Sequence, residues 1–296
     1  MIDFKQITIS DKIWIDELLR YSDYRGAEYC FTTLFIWDES YLSRCARYKD
    51  FLLLKSGSGE ETRYLYPAGR GDRREVIELL MQDADERGNS FSLISLTPQT
   101  KAELEELFPG TFNFKVVRNN FDYIYETEKL ISLSGKKLQS KRNHINYFKD
   151  FFKGWSYEEL TEDTIDEIIG FNEEWCKEAD CGKSQSLCLE SAAVSKCLAN
   201  FGKLSVKGGV LRIDGKIVAY TIGEQLNSDT FIIHIEKAFA SIRGAYPMIN
   251  REFAQREAIG LKYINREDDA GDEGLRKAKN SYHPAFMLEK FNAFIK

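Results

Sequence analysis

Proline is scarce, five in 296 residues, and no stretch is biased towards one residue type, so long linkers are not expected. Six cysteines (30, 45, 176, 181, 188 and 197) contain no C-x-x-C pair and no histidines at finger spacing. Structural zinc is therefore not expected, and reduced cysteines are expected over disulfides. Apolar runs are short. The longest, FLLLK and FIIHI, fall far below the roughly 20 residues of a membrane span. The opening MIDFKQITIS has no basic start followed by an apolar run, so no secretory signal is read and a cytoplasmic location is expected. There is no G-x-x-x-x-G-K-[ST], no G-x-S-x-G and no H-E-x-x-H, which removes support for ATP hydrolysis, serine-esterase chemistry and zinc proteolysis. A net charge of −6 gives no global case for nucleic acid, although local patches can still steer it.

Aromatic and apolar residues are plentiful. Hydrophobic residues make up 43% and aromatics 13%, with 20 Phe and 15 Tyr, which favours sheets packed under helices around a sizeable core. Along the chain, the first half reads as strand (FKQITIS), two helices, a hairpin of RYKDFLLLKS and ETRYLYPAG around GSGE, helix (DRREVIELLMQDADERG), strand (SFSLISL), helix (PQTKAELEELF) and strand (FNFKVVRNNFDYIYE). The second half repeats the order. It runs WSYEEL, two helices, a hairpin turning on Asp214–Gly215, strand DTFIIHIEKAF, helix, strand LKYINRE, helix GLRKAKNSY and strand FMLEKFNAFI. The repetition predicts duplication of a mixed α/β module over 1–130 and 155–296. Between them, 131–154 reads as a basic amphipathic helix carrying Lys136, Lys137, Lys141, Arg142, Lys149 and Lys153. It is either a solvated connector or a landing surface for phosphates.

The stretches GGVLRIDGKIVAYTIGEQL and HIEKAFASIRGAYPMINREFA resemble the core of a GNAT acyltransferase. KRNHINYF and INREDDAGDEGLRKAKNSYHP extend the resemblance to the C-terminal domain of phosphatidylglycerol lysyltransferases and to Fem aminoacyltransferases, without the membrane-embedded half of the former. The resemblance implies two tandem GNAT-like modules and an acyltransferase taking its group from aminoacyl-tRNA to an amine or hydroxyl acceptor. The alternatives are a coenzyme-A-dependent N-acetyltransferase using acetyl-CoA, and a non-catalytic binding module. No tightly bound cofactor or metal is expected, and tRNA would meet the helix over 136–153.

In the second module the resemblance implies a donor loop at Arg243 and Gly244, with Tyr246 beside it, although ASIRGAYP keeps only part of the usual loop pattern. The first module, read as lacking an Arg–Gly loop after its hairpin, would be structural or acceptor-binding. Glu236, ending FIIHIE, is the candidate base, with His234 on the same strand face; a solvated glutamate and a structural histidine are the plainer readings. Glu267 and Asp268, beyond the end of a strand, would hold a substrate ammonium, unless Asp268 or Asp269 merely caps the next helix. Arg276 and Lys279, three apart, would clamp a donor phosphate or lie in solvent. Tyr282 would protonate the leaving group, or simply pack, while His283, preceding Pro284, is expected to be extended.

Overall fold

A computed structural model describes residues 1–179 and 185–296. They form two compact units, one of residues 1–122, 268–272 and 287–296, the other of 123–267 and 273–286.

The first unit begins with β1 (Lys5–Gln6), α1 (Lys12–Ser22) and a short α2 (Phe31–Ile36). β2 (Arg44–Tyr48) and β3 (Phe51–Ser56) pair antiparallel, with Tyr48 opposite Phe51. RYKDFLLLKS, expected as one strand, thus turns inside itself, with Lys49 in the left-handed region at φ 51°. β4 (Arg63–Leu65) and β5 (Ala68–Gly69) both pair with β3. α3 (Arg73–Glu86) starts where the Asp72 carboxylate accepts the Glu75 amide at 3.2 Å, an N-cap. It crosses over to β6 (Ser92–Leu96), parallel to β4. α4 (Pro98–Leu107), entered through Thr97 with proline in its first turn, leads to β7 (Phe112–Val116).

The next strand, β8 (Asp122–Glu126), belongs to the second sheet. α5 (Thr127–Ser132), α6 (Gln139–Phe151) and β9 (Trp155–Glu159) follow, then α7 (Ile165–Ala179), α8 (Gln185–Ala199) and α9 (Phe201–Leu204). β10 (Lys207–Ile213) and β11 (Lys216–Gln225) form the expected hairpin, with Asp214 and Gly215 at φ 47° and 83°. β12 (Thr230–Ala238) continues through α10 (Ala245–Glu257) to the parallel β13 (Tyr263–Asn265). α11 (Glu273–Asn280), β14 (Phe286–Leu288) and β15 (Phe291–Ile295) complete the chain.

The first sheet runs β1-β2-β3-β4-β6-β15-β7 and the second β9-β10-β11-β12-β13-β8-β14. Place for place these are the same order, with the parallel pair and its crossover helix in the same position. Each unit is a mixed α/β module of the same strand order, and the chain is a tandem of the two. One strand in each comes from the far half of the sequence. β15 lies in the first sheet between β6 and β7, with Phe291 opposite both Leu96 and Val116, and β8 lies beside β13 in the second. FNFKVVRNNFDYIYE and FMLEKFNAFI were each expected as a single strand; each is two strands belonging to different sheets. The division at 130 and 155 accordingly assigns 123–130 and 287–296 to halves other than those they fold with.

Cys176 is disulfide-bonded, against the expectation of reduced cysteines, while Cys45 and Cys197 are buried. The Lys290 ammonium is wholly buried in the first unit, 3.3 Å from Asp122 and paired with Glu28.

Candidate active site

In the second unit, β12 delivers Glu236 to the start of α10, and the end of β13 delivers Arg266 to the same place. Arg266 Nη2 donates to Glu236 Oε1 at 2.7 Å, and Asn250 Nδ2, one turn into α10, donates to Oε2 at 2.7 Å. The Glu236 carboxylate therefore has both oxygens engaged. Two buried polar atoms of this network, Arg266 Nη1 and Asn250 Oδ1, have no hydrogen-bond partner among the described residues. A buried donor or acceptor left without a partner is costly.

Two aromatic rings and a lysine close the cluster. Tyr282 sits under the guanidinium, its ring centroid 4.8 Å from Arg266 Cζ, and meets Tyr125 edge-on at 6.4 Å. Burial raises the pKa of the Tyr282 hydroxyl well above the ordinary tyrosine value, against the pull of Arg266. From α6, Lys141 places its ammonium 3.9 Å from the Tyr282 ring centroid. Partial burial and the nearby Arg266 pull its pKa down to about 8, with Glu236 acting the other way. No carboxylate lies within ion-pair distance of Lys141 among the described residues. His144, one turn on, is also held below its usual pKa by burial and by Arg243 and Lys141.

The loop into α10 is largely committed to its own protein. The Ser241 amide and hydroxyl each donate to the Glu178 carboxylate at 3.0 Å, the Ala245 amide donates to Ile242 O at 3.1 Å, and Pro247 has no amide proton. Gly244, the N-cap at φ 92°, lies against α6 so closely that an added Cβ would be 2.4 Å from His144 O.

A family model described as phosphatidylglycerol lysyltransferase, C-terminal, matches residues 19–294. The chain belongs to this family. It is 42% identical, over the whole of both chains and at a TM-score of 0.95, to a conserved protein of unknown function from Bacteroides thetaiotaomicron. L-PGS from Bacillus licheniformis shares the fold, with a TM-score of 0.69 at 16% identity over 95% of this chain and 91% of its own. An uncharacterized protein of Mycoplasmoides gallisepticum is 24% identical over 223 residues, 72% of this chain and 68% of its own. The family is one of acyltransferases. No helix among the described residues is long and apolar enough to cross a membrane.

Within this lysyltransferase-like chain the residues singled out from sequence have separate fates. Glu236 and Tyr282 both contact Arg266, Arg243 stacks on Tyr147 and Gly244 packs against α6, while Tyr246, half-buried on α10, has its hydroxyl pKa raised by burial. Glu267 turns elsewhere. Its Oε1 is 3.1 Å from Nδ1 of the fully buried His234 imidazole, whose Nε2 is 3.1 Å from Glu224 Oε1. Asp268 Oδ1 accepts the Ala270 amide and Asp269 Oδ1 the Gly271 amide, each at 3.0 Å, while Asn265 Oδ1 accepts the Glu267 amide at 2.7 Å. The acidic run thus serves a chain of side-chain-to-backbone turns in a loop where Glu267 and Ala270 both adopt positive φ. α11 starts beyond them, at Glu273. Lys279 is buried and donates to Arg266 O at 2.6 Å, and Arg276 lies 3.9 Å from Glu273, so the two do not form one clamp. His283 is left-handed at φ 54°, not extended, because its amide closes the turn after α11 on Asn280 O.

The basic helix is also more differentiated than its charge run implied. Arg142 ties down the carbonyls of Leu133 and Gly135, Lys149 lies 5.1 Å over the Trp155 ring, and Lys141 turns into the cluster. Arg266 and Asn250 were missed. The available signal was an arginine at the end of a buried strand, passed over in favour of the acids that follow it. The first module does carry an Arg–Gly step after its hairpin, Arg70–Gly71, contrary to expectation. There, however, the Asp72 carboxylate occupies the N-terminus of α3, where an anion would otherwise dock.

Proposed function

We propose that this chain transfers an aminoacyl group from aminoacyl-tRNA to an amine or hydroxyl acceptor, with the chemistry in the second unit. The observation that carries the reading is the buried Arg266–Glu236–Asn250 network with its vacant donor and acceptor beside Lys141. Attack on an ester carbonyl places negative charge on the carbonyl oxygen, and a preorganised buried donor such as Arg266 Nη1–H stabilises it. Glu236, with both oxygens engaged, orients Arg266. Lys141 is the better proton acceptor, since a pKa near 8 leaves about a tenth of it neutral at pH 7. In the step, the acceptor's N–H or O–H attacks the carbonyl carbon and gives its proton to Lys141. The bond from that carbon to the ribose oxygen breaks, and the leaving oxygen takes the proton from the lysine. Tyr282 fixes the ammonium's position from beneath.

The commitment of the Ser241 and Ala245 amides, together with Pro247, leaves few donors for a coenzyme pyrophosphate and favours the tRNA donor over acetyl-CoA. Phosphatidylglycerol, the acceptor in the family's description, is the first acceptor to test. Release of radiolabel from an aminoacyl-tRNA pool, with and without that lipid, should be accelerated by the protein, and Lys141→Met should slow it on the order of 100-fold with no loss of thermal stability. Micromolar binding of coenzyme A with no effect on aminoacyl-tRNA would overturn the proposal.

A further inference from the structure

α6 presents an aromatic ladder on its outer face. Tyr147 and Phe151, one turn apart, stack with ring centroids 5.4 Å apart and planes only 11° off parallel. Arg243, exposed at the entrance to α10, lies over the Tyr147 ring with Cζ 4.4 Å from its centroid. Phe151 packs an edge contact to Phe152 at 4.8 Å yet remains 65% exposed. Phe151 is thus a ring held in a defined arginine–tyrosine–phenylalanine stack with one side left open to solvent.

We infer that the Tyr147–Phe151 ladder, capped by Arg243, is a stacking platform for unpaired nucleotide bases of an RNA. The inference rests on the aminoacyl-tRNA reading and specifies how that RNA is held. Every base has an apolar face that extends such a stack, and arginine over an aromatic ring adds cation–π attraction while staying near phosphates. The surroundings fit an anionic partner. Lys136 and Lys137 are exposed in the turn before α6, and Arg243 and Lys141 both lie within electrostatic reach of His144. The platform is also continuous with the candidate site, since Arg243 directly precedes the Gly244 cap and Lys141 shares the helix. An RNA end stacked on Phe151 and Tyr147 is thereby directed towards Lys141. A lipid surface would also suit a basic helix with one exposed aromatic, but it gives no reason for an arginine stacked on the inner ring.

The test is fluorescence anisotropy with a short labelled single-stranded RNA ending in CCA, alongside flotation with vesicles containing phosphatidylglycerol. Phe151→Ala and Tyr147→Ala should each weaken RNA binding roughly five- to hundred-fold with little change in salt slope, and Phe151→Trp should restore it. Because Phe151 is mostly exposed, its variants should melt like the parent. If the parent binds RNA in a salt-dependent way and both alanine variants bind equally well, the platform is refuted while the tRNA reading survives. If the variants lose vesicle binding and keep RNA binding, the ladder is a membrane contact and the inference is wrong. If the parent binds no RNA, both fall together.

Discussion

Arg266 and Glu236 meet at 2.7 Å with side chains only 11% and 10% exposed, an ion pair taken almost completely out of water. Removing one member of such a pair leaves a buried charge without its counterion, which typically costs about 3–5 kcal/mol. Glu236→Gln and Arg266→Met should each destabilise the second unit by about that amount in urea denaturation. The double variant should lose clearly less than the sum, because neither charge is then stranded. Strict additivity would mean that the pair contributes nothing as a pair.

Lys141 gives a prediction in pH. Its pKa in the folded protein is about 8, below the ordinary lysine value, so between the two the unfolded chain binds the extra proton. Stability contributed through this group is therefore lowest below pH 8 and rises as pH climbs through and above it. Lysine-selective NMR should find one ammonium titrating near pH 8. Glu236→Gln removes the charge that favours protonation and should move that titration lower still. A Lys141 signal titrating with the surface lysines would refute the burial.

Gly244 and Gly170 should respond in opposite directions to alanine. Gly244 combines φ 92° with a Cβ position 2.4 Å from His144 O and 2.9 Å from Phe148 Cβ, so Gly244→Ala should cost well over ~1 kcal/mol. Gly170 lies inside α7 with nothing within 4 Å of an added Cβ. Gly170→Ala should stabilise by about 0.4–1 kcal/mol. Thermal melts of the two variants decide it.

The exchange of β8 and β15 yields a prediction about fragments. A chain ending at residue 286 lacks β15, and with it the Lys290 ammonium that Glu28 and Asp122 surround. Sharp, dispersed amide spectra should be absent for the first unit in this fragment, and equally for 1–130 expressed alone. A folded 1–130 would show that β15 is dispensable.

Much of this protein was legible in its sequence because the signals are local. Helix periodicity, the Asp214–Gly215 turn, the repeated order of elements and the INREDDAGDEG motif are each carried by neighbouring residues, and they led to tandem modules of the right family. The short turns were harder. RNN at 118–120 and the Lys49–Asp50 step lack the glycine that advertises a break, so single strands were expected where the chain folds back or changes sheet. The acidic run was legible as charge but not as purpose, since Asp268 and Asp269 spend oxygens on amides two residues away. What the tertiary structure alone decided is pairing. A strand's alternation says which face is buried and nothing about which sheet receives its hydrogen bonds, so β8 and β15 could only be placed by folding. The same holds for the candidate site. Glu236, Asn250 and Arg266 are brought together by β12, α10 and β13, and Lys141 joins them because α6 packs on the Gly244 turn. Their chemistry depends on burial and on distances across those elements, which no spacing along the chain encodes.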